Sequence, residues 1–183
     1  QASTLFGVEV VVIGAGEDGT LALDLLQDAL DRPTALVTVT HVPTSSGLVN
    51  PVAEVGAIAA AAGVPYFLDA CQSVGQLPVD VGTIGCDAIT ATGRKWLRGP
   101  RGTGLLYLRD SFADRVEPLG IDMSSAEWID SRTYRVAPGA RRAEEFEGPV
   151  AAHLGLGAAI DQLLELGVEA VSERAGALAE HLR

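Results

Sequence analysis

The chain has 183 residues, of which 48% are apolar; this is enough for a buried core and excludes an intrinsically disordered protein. Its 24 acidic and 13 basic residues give a net charge of −11. That charge excludes a general nucleic-acid binder, which needs a basic surface to displace counterions. Twelve of the basic residues are arginine, and the only lysine is Lys95.

The two cysteines, Cys71 and Cys86, are too few for a disulfide framework, and both lie in apolar stretches typical of buried free thiols. We therefore expect a reducing, cytoplasmic location. No apolar run approaches the roughly 18 residues of a membrane span, and no secretory leader is visible, so we expect no membrane association. Because the chain starts at Gln1 and stops within a helical pattern, we expect it to be part of a longer polypeptide.

Short β-branched runs alternate with helical periodicity through the first hundred residues, which is typical of βαβ units. The apolar runs predict strands over residues 8–13, 36–42, 65–70 and 88–91. The i, i+3, i+4 spacing predicts helices over residues 22–30 and 51–63. Residues 104–109 form a further run that follows so closely that we expect an antiparallel neighbour. The predicted fold class is α/β, a mostly parallel sheet flanked by helices.

The last third of the chain is less regular. Between residues 118 and 147 the periodicity fades, and we interpret this stretch as an irregular connection. Helical spacing returns over residues 156–164 and, after Gly167, over residues 171–182. These helices predict the start of a smaller C-terminal domain that is helical or α+β.

Residues 14–19 match the G-x-G-x-x-G motif of dinucleotide-binding proteins. That motif needs an acidic residue about 20 positions on, at the end of the second strand, to bind the ribose. The predicted second strand ends near Thr40 and His41 instead. Glu17 and Asp18 would also repel a pyrophosphate at a helix N-terminus. We therefore interpret residues 14–19 as a turn with an acidic helix start.

Polar side chains follow three of the predicted parallel strands. The segments are residues 41–47 (HVPTSSG), 69–73 (DACQS) and 92–95 (TGRK). Because open α/β sheets bind ligands at the carboxyl ends of their strands, we expect these groups to meet there. Asp69 ends an apolar strand, and a buried carboxylate needs a cation, which is Lys95, an arginine or a ligand.

These segments, together with residues 99–104 (GPRGTG), resemble the core of the class V pyridoxal-phosphate enzymes, the cysteine desulfurase-like family of fold type I. The order and spacing also match that family, whose members are about twice as long as this chain. The resemblance implies that residues 1–148 belong to the cofactor-binding large domain. Residues 149–183 would be a linking helix and the start of the small domain, and both units would be incomplete. The implied cofactor is pyridoxal 5'-phosphate, with no metal.

The resemblance implies a role for six residues. Lys95 would form the Schiff base and act as a general base, and Asp69 would pair with the pyridinium nitrogen. Gln72 would hydrogen-bond the phenolic oxygen of the ring, and Thr92, where serine is usual, would donate to the phosphate. The other two are Thr44, in place of an asparagine near the cofactor oxygen, and Arg101, in place of a threonine at the phosphate of the neighbouring subunit.

The roles of Arg94 and His41 are less well defined by the sequence. Arg94 stands where the family often has histidine, and it would serve the phosphate, the substrate carboxylate or a structural ion pair. We interpret His41 as a packed or helix-capping residue rather than a base, because nothing in the sequence orients its imidazole.

Residues 41–47 and 94–102 are similar to the branch that contains hercynylcysteine sulfoxide lyase, isopenicillin epimerase-like proteins and cysteine lyase domains. That similarity implies β-elimination through an external aldimine, cleaving a carbon–sulfur bond of a cysteine-derived amino acid. An aminotransferase, a desulfurase or an epimerase would use the same residues, and a non-catalytic or partner-dependent half is a further alternative. The resemblance also implies a homodimer, and a second polypeptide or further segments that complete the fold.

Overall fold

The computed structural model describes residues 7–45 and 47–181 of the chain. Helices α1 to α6 comprise Leu23–Leu30, Val52–Ala61, Val81–Ile84, Asp110–Ala113, Val150–Leu166 and Val168–Glu180. Strands β1 to β6 comprise Val37–Thr40, Tyr66–Asp69, Ala88–Thr92, Gly104–Leu108, Ala126–Asp130 and Thr133–Val136. A 3-10 helix, Gly139–Ala143, precedes α5.

Strands β1 to β4 form one sheet in that order. β1, β2 and β3 are parallel, and β4 pairs antiparallel with β3, as its closeness in sequence predicts. Helix α2 connects β1 to β2, and α3 lies between β2 and β3 in the chain. The mostly parallel sheet with flanking helices confirms the predicted fold class.

Different helices cover the two faces of the sheet, because successive side chains of a strand point to opposite faces. Tyr66 and Leu68 of β2 pack in one buried cluster with residues of α1, α2 and α3. Phe67, between them, packs in a second cluster with α4. A third cluster joins Leu97, in the loop after β3, to Leu156 of α5. Helix α5 is thereby fixed to the loop that carries the predicted site.

Residues 8–13 form no strand, so the prediction of a strand there is wrong. Val10 and Val12 are 67% and 86% exposed. Among the described residues no strand pairs with this segment, and Ala15 forms only an isolated bridge with Leu21. A strand needs a hydrogen-bonding neighbour as well as β-branched residues. Residues 8–13 have the β-branched composition of a strand, but no hydrogen-bonding partner strand among the described residues.

Residues 118–147 are more regular than predicted. β5 and β6 pair as an antiparallel hairpin, and the 3-10 helix follows them. Most residues of the hairpin are exposed, so its strands lack the apolar alternation that marks a half-buried strand. Arg142 anchors this region, because its guanidinium donates to three backbone carbonyls and pairs with Asp114 at 3.1 Å.

The two C-terminal helices are confirmed. α5 starts six residues before the first predicted helical position, and Gly167 separates it from α6. No helix in the described part of the chain is both long and apolar enough to cross a membrane.

Candidate cofactor site

Three sets of polar residues meet at one edge of the sheet. Asp69 is the last residue of β2, and the strand register places it level with Thr40 of β1 and Thr90 of β3. Thr92 ends β3 two residues further on. The backbone N–H of His41 donates to the Asp69 carbonyl at 2.9 Å, so the loop after β1 begins beside β2. The parallel strands thus bring the predicted segments together at their carboxyl ends.

Asp69 is half-buried and is held by its own loop. Its carboxylate oxygen Oδ1 accepts the backbone N–H of Cys71 at 2.9 Å. In the part of the chain that the structure describes, no lysine or arginine forms an ion pair with Asp69. A carboxylate that loses part of its hydration is stabilised further by a cation beside it. The described residues leave that place to a bound group.

Lys95 lies on a turn, residues 93–99, whose backbone is fixed from several sides. A backbone hydrogen bond of 2.7 Å joins the two ends of the turn. Leu97 is buried against α5. Gly75 approaches from another side, and a Cβ on it would lie only 2.7 Å from the carbonyl carbon of Trp96. Only glycine fits there, and the close approach holds the half-buried Lys95 at the site edge.

The Cys71 thiol shows how close the predicted groups lie to each other. Burial raises the pKa of Cys71, and its hydrogen bond to the Asp69 carboxylate raises that pKa further. The backbone N–H of Thr92 and the positive charge of Lys95 act in the opposite direction and lower it. Cys71 therefore lies among Asp69, Thr92 and Lys95.

Cys71 is a site residue that the sequence interpretation missed. The prediction of a core thiol is correct for Cys86, which is fully buried, and wrong for Cys71, which is half-buried at the site. Its position in the sequence could have indicated this, because Cys71 comes two residues after a carboxylate at the end of a parallel strand, where ligands bind.

Thr44 and Gln72 form a direct link between two of the loops. The side-chain amide of Gln72 donates through Nε2 to Thr44 Oγ1 at 3.0 Å. Thr44 is exposed and Gln72 is half-buried, so both remain accessible to a ligand. Ser46, in the same predicted segment as Thr44, lies outside the described residues.

His41 is buried, as the prediction of a packed residue requires. Burial lowers the pKa of its imidazole, which favours the neutral form at pH 7. Its Nδ1 atom has no hydrogen-bond partner among the described residues. A buried, neutral imidazole with an unpartnered Nδ1 agrees with a packed residue.

Three arginines surround Lys95 in the sequence: Arg94, Arg98 and Arg101. All three are exposed, and none forms an ion pair with an acidic residue in the ranges 7–45 and 47–181. This removes the structural ion pair from the interpretations of Arg94 within the described chain. Arg98 has a positive φ of 58°, a conformation that costs about 1 kcal/mol for a residue other than glycine.

Two cavities lie away from this edge. One of about 480 Å³ is lined by Tyr66, Asp87, Arg109 and Arg115, at the amino ends of the strands. Another of about 320 Å³ lies beside Trp128 and Tyr134 of the hairpin. Neither cavity includes a predicted site residue, so both lie outside the candidate site.

Comparison with known proteins gives a consistent picture. A family model described as aminotransferase class-V matches residues 1–183. A probable cysteine desulfurase of Methanothermobacter thermautotrophicus is 35% identical over 176 residues, which are 96% of this chain and 44% of that protein. A cysteine desulfurase of Haloferax volcanii is 35% identical over 184 residues, which are 99% of this chain and 42% of that protein.

A solved structure resembles the whole described architecture. The apo structure of a cysteine desulfurase from Thermococcus onnurineus NA1 matches with a TM-score of 0.89 at 28% identity, covering 98% of this chain and 44% of that one. The chain therefore spans less than half the length of the relatives it matches. This structural match confirms the fold type I large domain. The family model and the curated relatives confirm the family resemblance and pyridoxal phosphate as the cofactor.

The residues at the sheet edge fit that cofactor. Asp69 is a half-buried carboxylate without a protein cation, which suits the protonated nitrogen of a pyridine ring. Lys95 is a primary amine, held on a fixed turn, for the aldehyde. The hydroxyl and guanidinium groups of Thr92 and Arg101 are donors of the kind that bind phosphate.

Proposed function

We propose that this chain, which belongs to the aminotransferase class-V family, forms the pyridoxal-phosphate site of a lyase that cleaves the carbon–sulfur bond of a cysteine-derived amino acid. The observation that carries the proposal is the position of Lys95. It stands at the carboxyl edge of the parallel strands, and its charge reaches the thiol that Asp69 also contacts. Within the described residues it pairs with no carboxylate, so its amine is available to a ligand.

Lys95 supplies the amine that attaches the cofactor and then moves the proton at the substrate Cα. When bound, pyridoxal phosphate withdraws electrons from that carbon. Arginine could do neither task, because a guanidinium stays protonated. The fixed backbone of residues 93–99 limits where the Lys95 amine can reach, and such positioning favours proton transfer.

The other proposed residues hold the cofactor. Asp69, oriented by the Cys71 N–H, accepts a hydrogen bond from the ring nitrogen and favours its protonated form. Gln72 and Thr44 act as one hydrogen-bonded unit at the phenolic oxygen. Thr92 donates to the phosphate, and Arg101 donates to the phosphate of the neighbouring subunit as a bidentate donor.

Elimination is proposed first because residues 41–47 and 94–102 resemble the lyase branch, and desulfuration, which the names of the compared relatives suggest, is the second candidate. A desulfurase needs a thiolate to take up the sulfur. In the described part of the chain Cys86 is fully buried. The pKa of Cys71 is raised, mainly by burial, so it is less often a thiolate than an ordinary cysteine. The thiolate of a desulfurase would therefore come from outside the described residues.

The absorption spectrum of the purified protein with added pyridoxal phosphate tests the site. We expect a visible band of bound cofactor in the wild type and no such band in Lys95→Ala or Lys95→Arg. Arg174→Ala, which changes an exposed residue of α6, is the control and should keep the band. A wild-type protein that stays colourless would overturn the proposal.

The products from cysteine and its conjugates test the reaction type. Elimination releases the thiol together with pyruvate and ammonia in equal amounts, because the amino acid left after sulfur departure hydrolyses. Alanine as the product would show that the reaction is desulfuration and not elimination. Neither product, together with a keto acid derived from the intact substrate, would indicate an aminotransferase.

A further inference from the structure

Asn50, the only asparagine of the chain, makes three hydrogen bonds to two separate parts of the backbone. Its Oδ1 atom accepts the N–H of Leu21 at 3.0 Å, and its Nδ2 atom donates to the carbonyl of Thr40 at 2.8 Å. Its own backbone N–H donates to the carbonyl of His41 at 2.9 Å. A side-chain amide is suited to this arrangement because it accepts and donates at the same time.

The Leu21 end of this connection lies two residues after the glycine-rich turn of residues 14–19, and Leu21 bridges back to Ala15 of that turn. Backbone hydrogen bonds close the turn, from residue 16 to residue 20 at 2.8 Å and from residue 22 to residue 14 at 3.1 Å. Asp18 accepts the N–H and the hydroxyl of Thr20 at 2.9 and 2.7 Å, so this carboxylate is used within the turn. A Cβ placed on Gly19 would lie 3.4 Å from Leu48, so the turn packs against the loop that follows β1.

The Thr40 and His41 end of the connection leads directly to the candidate site. His41 donates to the Asp69 carbonyl at 2.9 Å, and Thr44 accepts from Gln72 at 3.0 Å. The loop of residues 41–50 therefore runs between two anchors, Asn50 at its end and the site at its start.

We propose that Asn50 is a positioning residue for the cofactor site: it fixes the loop of residues 41–50 on the glycine-rich turn so that Thr44 holds Gln72 at the cofactor. The glycine-rich turn is then a support of the pyridoxal-phosphate site and not a nucleotide loop. This inference rests on the proposed function, because Thr44 and Gln72 matter only if the cofactor binds between the loops.

The pyridoxal-phosphate affinities of Asn50→Asp, Thr44→Val and the double variant test the proposal. Asn50→Asp keeps the acceptor for Leu21 and removes the donor to Thr40. We expect each single variant to bind the cofactor about tenfold more weakly, the size of one lost hydrogen bond. The double variant should bind the cofactor no more weakly than the single variant with the lower affinity. The reason is that Asn50 acts through Thr44, and the effects of coupled residues are not additive.

A matched control separates positioning from general destabilisation. Asp80→Ala removes the carboxylate that accepts the Thr83 N–H at the start of α3, away from the site, and should leave the cofactor affinity unchanged. If Asn50→Asp binds the cofactor as the wild type does, or if its effect adds fully to that of Thr44→Val, the proposal is wrong. A wild type that binds no cofactor contradicts the proposed function itself, and the two failures are thereby distinguished.

A second measurement applies even if Asn50→Asp does not fold. Labelling the chain with ¹⁵N-asparagine gives a single backbone amide signal, from Asn50. Because coupling between two sites is reciprocal, pyridoxal phosphate should slow hydrogen exchange of that amide in the wild type and slow it less in Thr44→Val. Equal exchange with and without the cofactor would overturn the proposal.

Discussion

Cys71 is the residue whose titration reports on the site. Its pKa is raised by burial first and by Asp69 second, and it is lowered by the Lys95 charge. In the cofactor-free protein we expect Cys71 to reach half its maximal alkylation rate at a higher pH than free cysteine. Removing the charge in Lys95→Ala should move that midpoint further up, and Asp69→Asn should move it down. The measurement is the rate of iodoacetamide labelling against pH.

Cys86 provides the internal control for this titration, because it is fully buried and should react only on unfolding. Peptide mapping distinguishes the two thiols. Opposite shifts in the two variants would show that the thiol titrates between the two charges. Midpoints that match the wild type in both variants would contradict the contact of Cys71 with Asp69 and the effect of the Lys95 charge on the thiol.

At this scale the sequence indicated some residues of the candidate site and not others, for a physical reason. Asp69 and Lys95 were predictable because a carboxylate at the end of an apolar strand is unusual and the lysine is the only one. Asn50 and Cys71 were not, because their importance depends on contacts. Asn50 bonds to a turn 29 residues away in the sequence, and the surroundings of Cys71 come from β3 and the loop after it.

At the scale of elements, prediction succeeded where one face of an element is buried. β1 and β2 alternate buried and less buried residues, and α2 has four buried residues along its length, so the sequence carries their periods. The β5 and β6 hairpin has no buried face, and residues 8–13 pair with no strand in the part of the chain that the structure describes. Hydrophobic periodicity reflects the burial of one face, so it does not predict the exposed β5 and β6 hairpin. In residues 8–13 the β-branched composition wrongly predicts a strand.

The contact between α2 and α3 gives a sharp prediction for packing. A Cβ placed on Gly56 would lie 1.8 Å from the carbonyl oxygen of Ile84. Because this oxygen belongs to the backbone of α3, it can move away only if α3 moves. We expect Gly56→Ala to lower the free energy of unfolding by about 2 kcal/mol or more, as overpacked cores do. The measurement is urea denaturation of both proteins.

Gly157→Ala is the matched control, because Gly157 lies in α5 with no atom within 4 Å of the new Cβ. There alanine should raise the free energy of unfolding by about 0.5–1 kcal/mol, the difference in helix propensity. If Gly56→Ala is as stable as the wild type, α2 and α3 do not pack as closely as described.

At the scale of the whole molecule, the division of the chain at residue 148 is a proposal that packing qualifies. α5 begins at Val150, just after the proposed boundary. Yet Leu156 of α5 packs on Leu97 in the loop that carries Lys95. The second unit therefore supports the site of the first, and a fragment that ends near residue 148 would leave one side of this loop uncovered.

The charge distribution of the chain has two opposite effects on an anionic cofactor. The net charge of −11 repels it, whereas residues 94–101 contain four of the 13 basic residues and no acidic one. Because Arg94, Arg98 and Arg101 are exposed and unpaired within the described chain, their field extends into solvent at the site edge. A local positive field in an acidic protein attracts an anion selectively to that edge.

This field predicts how salt changes cofactor association. Raising the ionic strength from about 50 to 300 mM shortens the screening length to below 10 Å, and the association rate constant of pyridoxal phosphate should fall severalfold. Pyridoxal, which lacks the phosphate, should respond much less. Stopped-flow absorbance measures both rates.

In Arg101→Ala the salt dependence should be weaker than in the wild type, whereas Arg174→Ala on α6 should leave it unchanged. If pyridoxal and pyridoxal phosphate respond equally to salt, or if the two arginine variants behave alike, the cluster does not guide the phosphate, and Arg101 is not the phosphate donor proposed for it.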